Sequence, residues 1–185
     1  MIDFSKIDNT WTLFLDRDGV INKEKKNDYI KSVEEFEFYP NTFEALKIFT
    51  IIFNKIIIVT NQKGIGKKLM TVEDLDLIHN HMLQSIHNKG GRVDKIYYCT
   101  NLEDSSPNRK PNAGMAFQAK TDFPEIDFSK SIIAGNKLTD MEFGRNANIK
   151  TAFVATTNPE TPYPHPLIDI RVNTLLELAF QLKNV

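Results

Sequence analysis

Lys55-Ile56-Ile57-Ile58-Val59-Thr60 is a nearly unbroken run of β-branched residues. A strand that is apolar at consecutive positions, not at alternate ones, has to be covered on both faces, and sheets of that kind are parallel with helices on either side. The rest of the chain repeats the pattern. Trp11–Leu15 reads as a strand before this run, and Asp94–Cys99, Ser131–Ala134 and Thr151–Val154 read as strands after it. Segments of helical character separate them. Residues 41–50 form one behind Pro40, with Asn41-Thr42 as the cap; a second opens at Thr71-Val72-Glu73-Asp74 and stops near Gly90-Gly91. Gly114–Thr121, Leu138–Ala147 and an amphipathic C-terminal stretch, Thr174–Leu182, supply the others, while Thr156–Pro166 reads as a loop. The expected fold is α/β: a Rossmann-like three-layer sandwich on a mostly parallel five-stranded sheet, as a single domain over residues 1–185 with no large cap domain. Only Asn22–Tyr39 breaks the alternation, a charged excursion placed to cover a site.

Bulk properties narrow the function classes. A net charge of −1 leaves no electrostatic footprint for nucleic acid. A lone cysteine, Cys99, excludes an intrachain disulfide framework and suits a reducing compartment. No apolar run approaches the roughly 18 residues of a membrane span, and the N-terminus lacks a basic-then-apolar signal pattern. The expectation is a cytoplasmic domain, monomeric or in a small homo-oligomer, with no nucleic-acid or membrane partner.

Four polar clusters stand at or just after strand ends, where ligands collect in open α/β sheets. Asp16-x-Asp18-Gly19 ends the first strand. Two carboxylates there repel each other and need a cation, a shared proton or a basic neighbour. Thr60-Asn61-Gln62 ends the β-branched strand, and the Gly64-x-Gly66 after it predicts a flexible turn. Asn108-Arg109-Lys110-Pro111 offers a fork donor and a point cation, and Gly135-Asn136-Lys137-x-x-Asp140 follows the fourth strand. Alone, each has a plain reading: a turn, a helix start, surface charge. Their order lets all four converge on one sheet edge, and nucleophile, oxygen donors, cation and metal ligands together are what phosphoryl transfer requires.

With these residues in view, the chain resembles phosphohydrolases of the haloacid dehalogenase superfamily, in the branch holding the heptose bisphosphate and histidinol phosphate phosphatases. The matching text is FLDRDGVIN at 14–22, FEFYP at 36–40, IIIVTNQKGIGKK at 56–68, DKIYYC at 94–99, NRKPNAGM at 108–115 and IIAGNKLTDME at 132–142. The resemblance implies a Mg²⁺-dependent phosphomonoester hydrolase working through an aspartyl-phosphate. Asp16 is then the nucleophile and Asp18 the general acid and base. Thr60 and Asn61 hold phosphoryl oxygens, Lys110 offsets their charge, and Arg109 contacts substrate beyond the phosphate. Asp16, the carbonyl of Asp18 and Asn136 hold Mg²⁺. The implied partner is a small phosphorylated metabolite, a sugar phosphate, with D-glycero-D-manno-heptose 1,7-bisphosphate preferred. Histidinol phosphate, and a weakened homologue that only binds sugar phosphate, are the alternatives.

Two departures stand out. The family's G-D-K-x-x-D reads G-N-K-L-T-D here, so Asn136 puts a neutral amide where a metal carboxylate is expected, with Asp140 as a nearby compensating charge. Relatives also carry a Cys/His zinc loop before R-K-P, whereas residues 100–108 hold neither residue type. No structural zinc is expected, and Cys99 reads as a small buried residue. His79, His81 and His87 lie on the second helix, where positions i and i+2 face apart, and read as packing or surface residues. His165, in a proline-rich loop, reads as solvated.

Overall fold

The computed structural model describes residues 6–183; residues 1–5 and 184–185, the ends of the expected domain, lie outside the described residues. Its elements run β1 (Thr12–Leu15), α1 (Thr42–Ile52), β2 (Lys55–Asn61), α2 (Lys63–Gly66), α3 (Val72–Asn88), β3 (Lys95–Cys99), α4 (Gly114–Asp122), β4 (Ser131–Gly135), α5 (Leu138–Asn146), β5 (Lys150–Val154), β6 (Ile170–Val172) and α6 (Leu175–Lys183). The strands form one parallel sheet in the order β3-β2-β1-β4-β5-β6. The sheet has six strands where the sequence predicts five. β6 is a three-residue edge strand, Ile-Arg-Val, too short to show a period.

Alternation along each strand sorts the core into two layers. Leu13, Leu15, Ile56, Ile58, Ile132 and Ala134 face one side and pack with buried residues of α1, α3 and α6. Phe14, Ile57, Val59 and Ile133 face the other and pack with α4 and α5. The residues of the β-branched run from Ile56 to Val59 are each fully buried, as a strand covered on both faces demands. Removing each such side chain from water contributes about 1.5–3 kcal/mol.

Local signals set the boundaries. At α3 the predicted cap forms: Thr71 Oγ1 accepts from Asp74 N at 3.1 Å, and Asp74 Oδ2 accepts from Thr71 N at 2.8 Å. Gly90, at φ +81°, ends the helix, and Gly91 N donates to Ile86 O at 3.0 Å. At α1 the expected side-chain cap does not form. Asn41 takes a left-handed φ of 65° and its side chain caps nothing, while Thr42 Oγ1 donates to Ile21 O at 3.2 Å. The expected flexible turn at Gly64-x-Gly66 is one turn of helix, α2. A Cβ on Gly66 would lie 2.3 Å from Thr100 O, so close backbone approach is what its glycine serves.

The excursion 22–39 is pinned at both ends of its length. Ile30 and Phe36 insert into the α1/α3 core layer, and the segment holds one 3₁₀ turn, Val33–Glu35, rather than a cap domain.

Candidate active site

β1 and β4 are neighbours, so Asp16 and Gly135-Asn136 leave the sheet side by side; Asp16 N still donates to Ala134 O at 2.9 Å. β2 lies on the other flank of β1 and delivers Thr60 and Asn61 to the same edge. Lys110 arrives from the loop after β3. Asn61 fixes it there: its Nδ2 donates to Lys110 O at 3.0 Å and its Oδ1 accepts from Lys110 N at 3.1 Å. Asp16, Asp18, Thr60, Asn61, Arg109, Lys110 and Asp140 all line one cavity of about 230 Å³.

The buried charges are matched. Lys110 Nζ donates to Asp16 Oδ1 at 2.8 Å and to Asp140 Oδ1 at 2.6 Å, with all three side chains at most 9% exposed. Burial pushes the Asp16 carboxyl up to about 6; Lys110 pulls it down and Asp140 adds to the rise. Burial opposes the charge on Lys110, but Asp140 and Asp16 outweigh it and hold the ammonium above its ordinary range. Asp140, expected to compensate for Asn136, has both oxygens engaged: Oδ1 by Lys110 and Oδ2 by Lys137 N at 3.0 Å. Its charge serves Lys110.

Asp18 sits in a cradle of donors. Arg17 Nη2 and Asn22 Nδ2 both reach its Oδ1 at 2.9 Å, and Gln62 Nε2 reaches its Oδ2 at 2.9 Å. Burial would raise this carboxyl, but Arg17, Asn22 and Gln62 together bring it below the usual carboxylate range. Arg17 is itself fully buried, and its Nη1 lies 3.1 Å from Nε2 of His79 on α3. His79 is pushed down to about 3, by burial first and the Arg17 charge second, so the neutral ring accepts from Arg17. A residue read from sequence as helix packing thus holds the guanidinium that holds Asp18. His81 lies edge-on to Phe36, as a packing residue does, while His165 is half-buried and accepts from Leu167 N at 3.2 Å.

Asn136 is fully buried. One end of its amide lies 3.2 Å from both Asp16 Oδ2 and the carbonyl oxygen of Asp18; the other lies 2.5 Å from Thr157 Oγ1. With Oδ1 inward, three oxygens converge on one point. Octahedral Mg²⁺, with bonds of about 2.0–2.1 Å, sets neighbouring ligand oxygens about 3 Å apart, so an all-oxygen set of this spacing fits that ion. Among the described residues no group of three or more His, Cys, Asp or Glu could hold a metal. The set here is one carboxylate, one carbonyl and one amide. Gly19, at φ +93°, leaves room for it, since a Cβ there would lie 2.1 Å from Asn136 Nδ2.

Tyr29, Lys63 and Thr139 also line the cavity without a role expected from the sequence, and so does Lys137 of the fourth cluster. Arg109 lies on the same wall, its Nε on Asp104 Oδ1 at 2.9 Å. Lys137 Nζ pairs with Glu24 at 2.6 Å and ties the excursion to the loop after β4. Thr156-Thr157-Asn158 falls in the stretch that the sequence marks only as loop. Thr156 Oγ1 donates to Gly19 O, and Asn158 Nδ2 donates to Asn136 O at 2.8 Å. These residues follow β5 directly, so the strand-end rule that marks the other four clusters marks this one too. Cys99 is buried in the α4/α5 layer, as its composition-level reading expects.

A carboxylate pair leaving the central strand β1, a buried lysine against one of them and an oxygen cradle between neighbouring loops form a set suited to phosphoryl transfer. Comparisons with known proteins agree. A family model described as polynucleotide kinase 3 phosphatase matches residues 12–152. A D-glycero-alpha-D-manno-heptose-1,7-bisphosphate 7-phosphatase of Campylobacter jejuni is 41% identical over 142 residues, covering 77% of this chain and 80% of that one. A D-glycero-beta-D-manno-heptose-1,7-bisphosphate 7-phosphatase of Escherichia coli is 31% identical over 180 residues, 92% of this chain and 93% of that one. The crystal structure of D,D-heptose 1,7-bisphosphate phosphatase from B. bronchiseptica, complexed with magnesium and phosphate, superimposes with a TM-score of 0.85 at 26% identity, covering 94% and 98%. The chain belongs to the haloacid dehalogenase superfamily phosphatases, in the heptose bisphosphate phosphatase branch, and is a phosphoric monoester hydrolase.

Proposed function

We propose that the chain hydrolyses the 7-phosphate of D-glycero-D-manno-heptose 1,7-bisphosphate, with Mg²⁺ held by Asp16, the carbonyl of Asp18 and Asn136. The observation that carries the chemistry is the meeting of Asp16, Asp18, Thr60, Lys110 and Asp140 in one cavity. The substrate follows the two relatives at 31% and 41% identity. A bound Mg²⁺ neutralises charge between Asp16 and the phosphoryl oxygens.

Asp16 attacks phosphorus through a carboxylate oxygen, and the bond to the sugar oxygen breaks. Lys110 keeps Asp16 ionised despite its burial and faces the charge that builds in the transition state. The three donors around Asp18 favour its carboxylate in the free chain, so Asp18 has to enter this step protonated, with the proton taken up as the phosphate dianion binds beside it. It gives that proton to the departing sugar oxygen and regains one from the water that attacks the aspartyl-phosphate, which releases inorganic phosphate and restores Asp16. Thr60 Oγ1 accepts from Gln62 Nε2 at 2.9 Å, which leaves its own proton for a phosphoryl oxygen. The Asn61 side chain is occupied by Lys110, so its contribution to phosphate is its backbone N–H. Gln62 N donates to Cys99 O of β3, and successive residues of a strand turn to opposite neighbours. The Asn61 N–H therefore points to the side where β1 has already ended.

Phosphate release from both anomers of heptose 1,7-bisphosphate, from histidinol phosphate and from a 3′-phosphorylated oligonucleotide tests the reading. A heptose bisphosphate is expected to give the highest kcat/KM. Faster turnover of histidinol phosphate or the oligonucleotide overturns the substrate, and turnover that survives Asp16→Asn overturns the nucleophile.

A further inference from the structure

Asn136 creates a difficulty that a carboxylate at this position would not have. An aspartate presents an oxygen inward whichever way it turns; an amide presents oxygen one way and an N–H donor the other. Within the protein alone only the orientation with Nδ2 inward satisfies both ends of the amide, because an inward Oδ1 faces only acceptors and needs a cation there. With Oδ1 inward, Nδ2 donates to Thr157 Oγ1 at 2.5 Å. Turned over, Nδ2 donates to Asp16 Oδ2 and to the Asp18 carbonyl, both at 3.2 Å, and Oδ1 accepts from Thr157. The second arrangement aims a proton donor at the point where a cation would sit.

We propose that Thr157 is a positioning residue that keeps the Asn136 amide oxygen turned toward the cation. The role rests on the reading that Asp16, Asp18 and Asn136 hold a divalent ion. Three observations support it. Asn136 is fully buried, so its N–H has no solvent to turn to. Thr157 Oγ1 is the one acceptor that its outward N–H reaches among the described residues. The hydroxyl is itself fixed, because Asn158 Nδ2 donates to Thr157 Oγ1 at 3.1 Å while also donating to the Asn136 carbonyl at 2.8 Å. Two N–H groups thus converge on the Thr157 oxygen in the metal-competent orientation. A valine at 157 keeps the shape and removes the acceptor, leaving the inward pair of oxygens as the partners within reach of the Asn136 N–H.

The test is Mg²⁺ binding without substrate, by calorimetry and by the Mg²⁺-dependent rise in Tm, on wild type, Thr157→Val, Thr157→Ser, Asn136→Asp and the Thr157→Val/Asn136→Asp double variant. Thr157→Val is expected to weaken Mg²⁺ on the order of tenfold, the scale of lost outer-shell contacts to a metal ligand. Thr157→Ser restores the affinity. In the Asn136→Asp background, where no orientation is wrong, Thr157→Val changes affinity by no more than about twofold. The metal-free Tm of each variant shows whether it folds. A folded Thr157→Val that binds Mg²⁺ as wild type does, or an equal loss in both backgrounds, overturns the role. No Mg²⁺ binding by the folded wild type removes the cation site itself, and the role of Thr157 with it, while leaving the aspartate chemistry to be judged by turnover.

Discussion

At the scale of single residues, the two candidate carboxylates are told apart by their surroundings. Asp16 and Asp18 are two positions apart but meet opposite surroundings: a buried cationic clamp for one and a cradle of three donors for the other. Asp18→Asn keeps most of the cradle's shape but has no proton to give, so kcat should fall about 10²–10⁴-fold with KM little changed, measured by steady-state phosphate release. An unaltered kcat would remove Asp18 from the proton path. Asn136→Asp adds a formal charge to the ion-binding set, and the Mg²⁺ level for half-maximal activity should drop on the order of tenfold. Identical Mg²⁺ curves would show that the amide costs nothing. Strand-end position and residue type made Asp16, Asp18, Thr60, Lys110 and Asn136 legible in the sequence. The same reading gave Asn61 a phosphate contact; its side chain holds the Lys110 backbone, so the proposed contact falls to its backbone N–H. Residue type names the hydrogen-bonding groups; only the fold says which partner they meet first.

Helices and strands were legible where the apolar pattern was long. β2 and α3 fall within a residue of their expected limits because one is buried on both faces and the other is bounded by a cap and a glycine. β6 was missed because three residues carry no period, and the α1 cap because Asn41 turns left-handed instead of accepting from the helix. The pairing of α3 with the site was beyond the sequence as well, since Arg17 and His79 are 62 positions apart. That pairing gives α3 a pH signature. The depressed His79 binds fewer protons in the folded chain than in the unfolded one, where an imidazole titrates near 6.5. Its contribution to stability is complete above about pH 6.5 and is lost as pH falls toward about 3, on the order of 5 kcal/mol over the full window. Asp16 is raised to about 6, so its linkage runs the other way: it favours the fold below about pH 4 and loses that as pH rises through 6. The two oppose each other between about pH 4 and 6, so the His79 share is read as a difference. His79→Gln keeps an acceptor for Arg17 and does not titrate. Denaturant unfolding of wild type and variant from pH 7 to 5 should show wild type losing more stability; parallel curves would place a charged imidazole in the folded chain.

The whole molecule separates its charge. The chain carries a net charge of −1, yet the cavity wall sets four cations, Lys63, Arg109, Lys110 and Lys137, against three carboxylates. A neighbouring hollow sharing Tyr29 and Lys137 with it adds Lys25, Lys26 and Lys67 against Glu24 and Asp28. An excess of cations around the cavity mouth on a nearly neutral body attracts a polyanion, and its pull extends over a Debye length. That length shrinks from about 30 Å at 0.01 M salt to about 10 Å at 0.1 M. Over this range kcat/KM for a heptose bisphosphate should fall several-fold while kcat stays level, because salt weakens capture and leaves the Asp16–Lys110 clamp, buried from solvent, unscreened. A sugar monophosphate carries half the phosphate charge and should show a shallower slope. Lys63→Gln, on the cavity wall, and Lys67→Gln, in the neighbouring hollow, should flatten the bisphosphate slope toward the monophosphate one. Equal slopes for the two substrates would mean that the second phosphate meets no cationic surface on its way in.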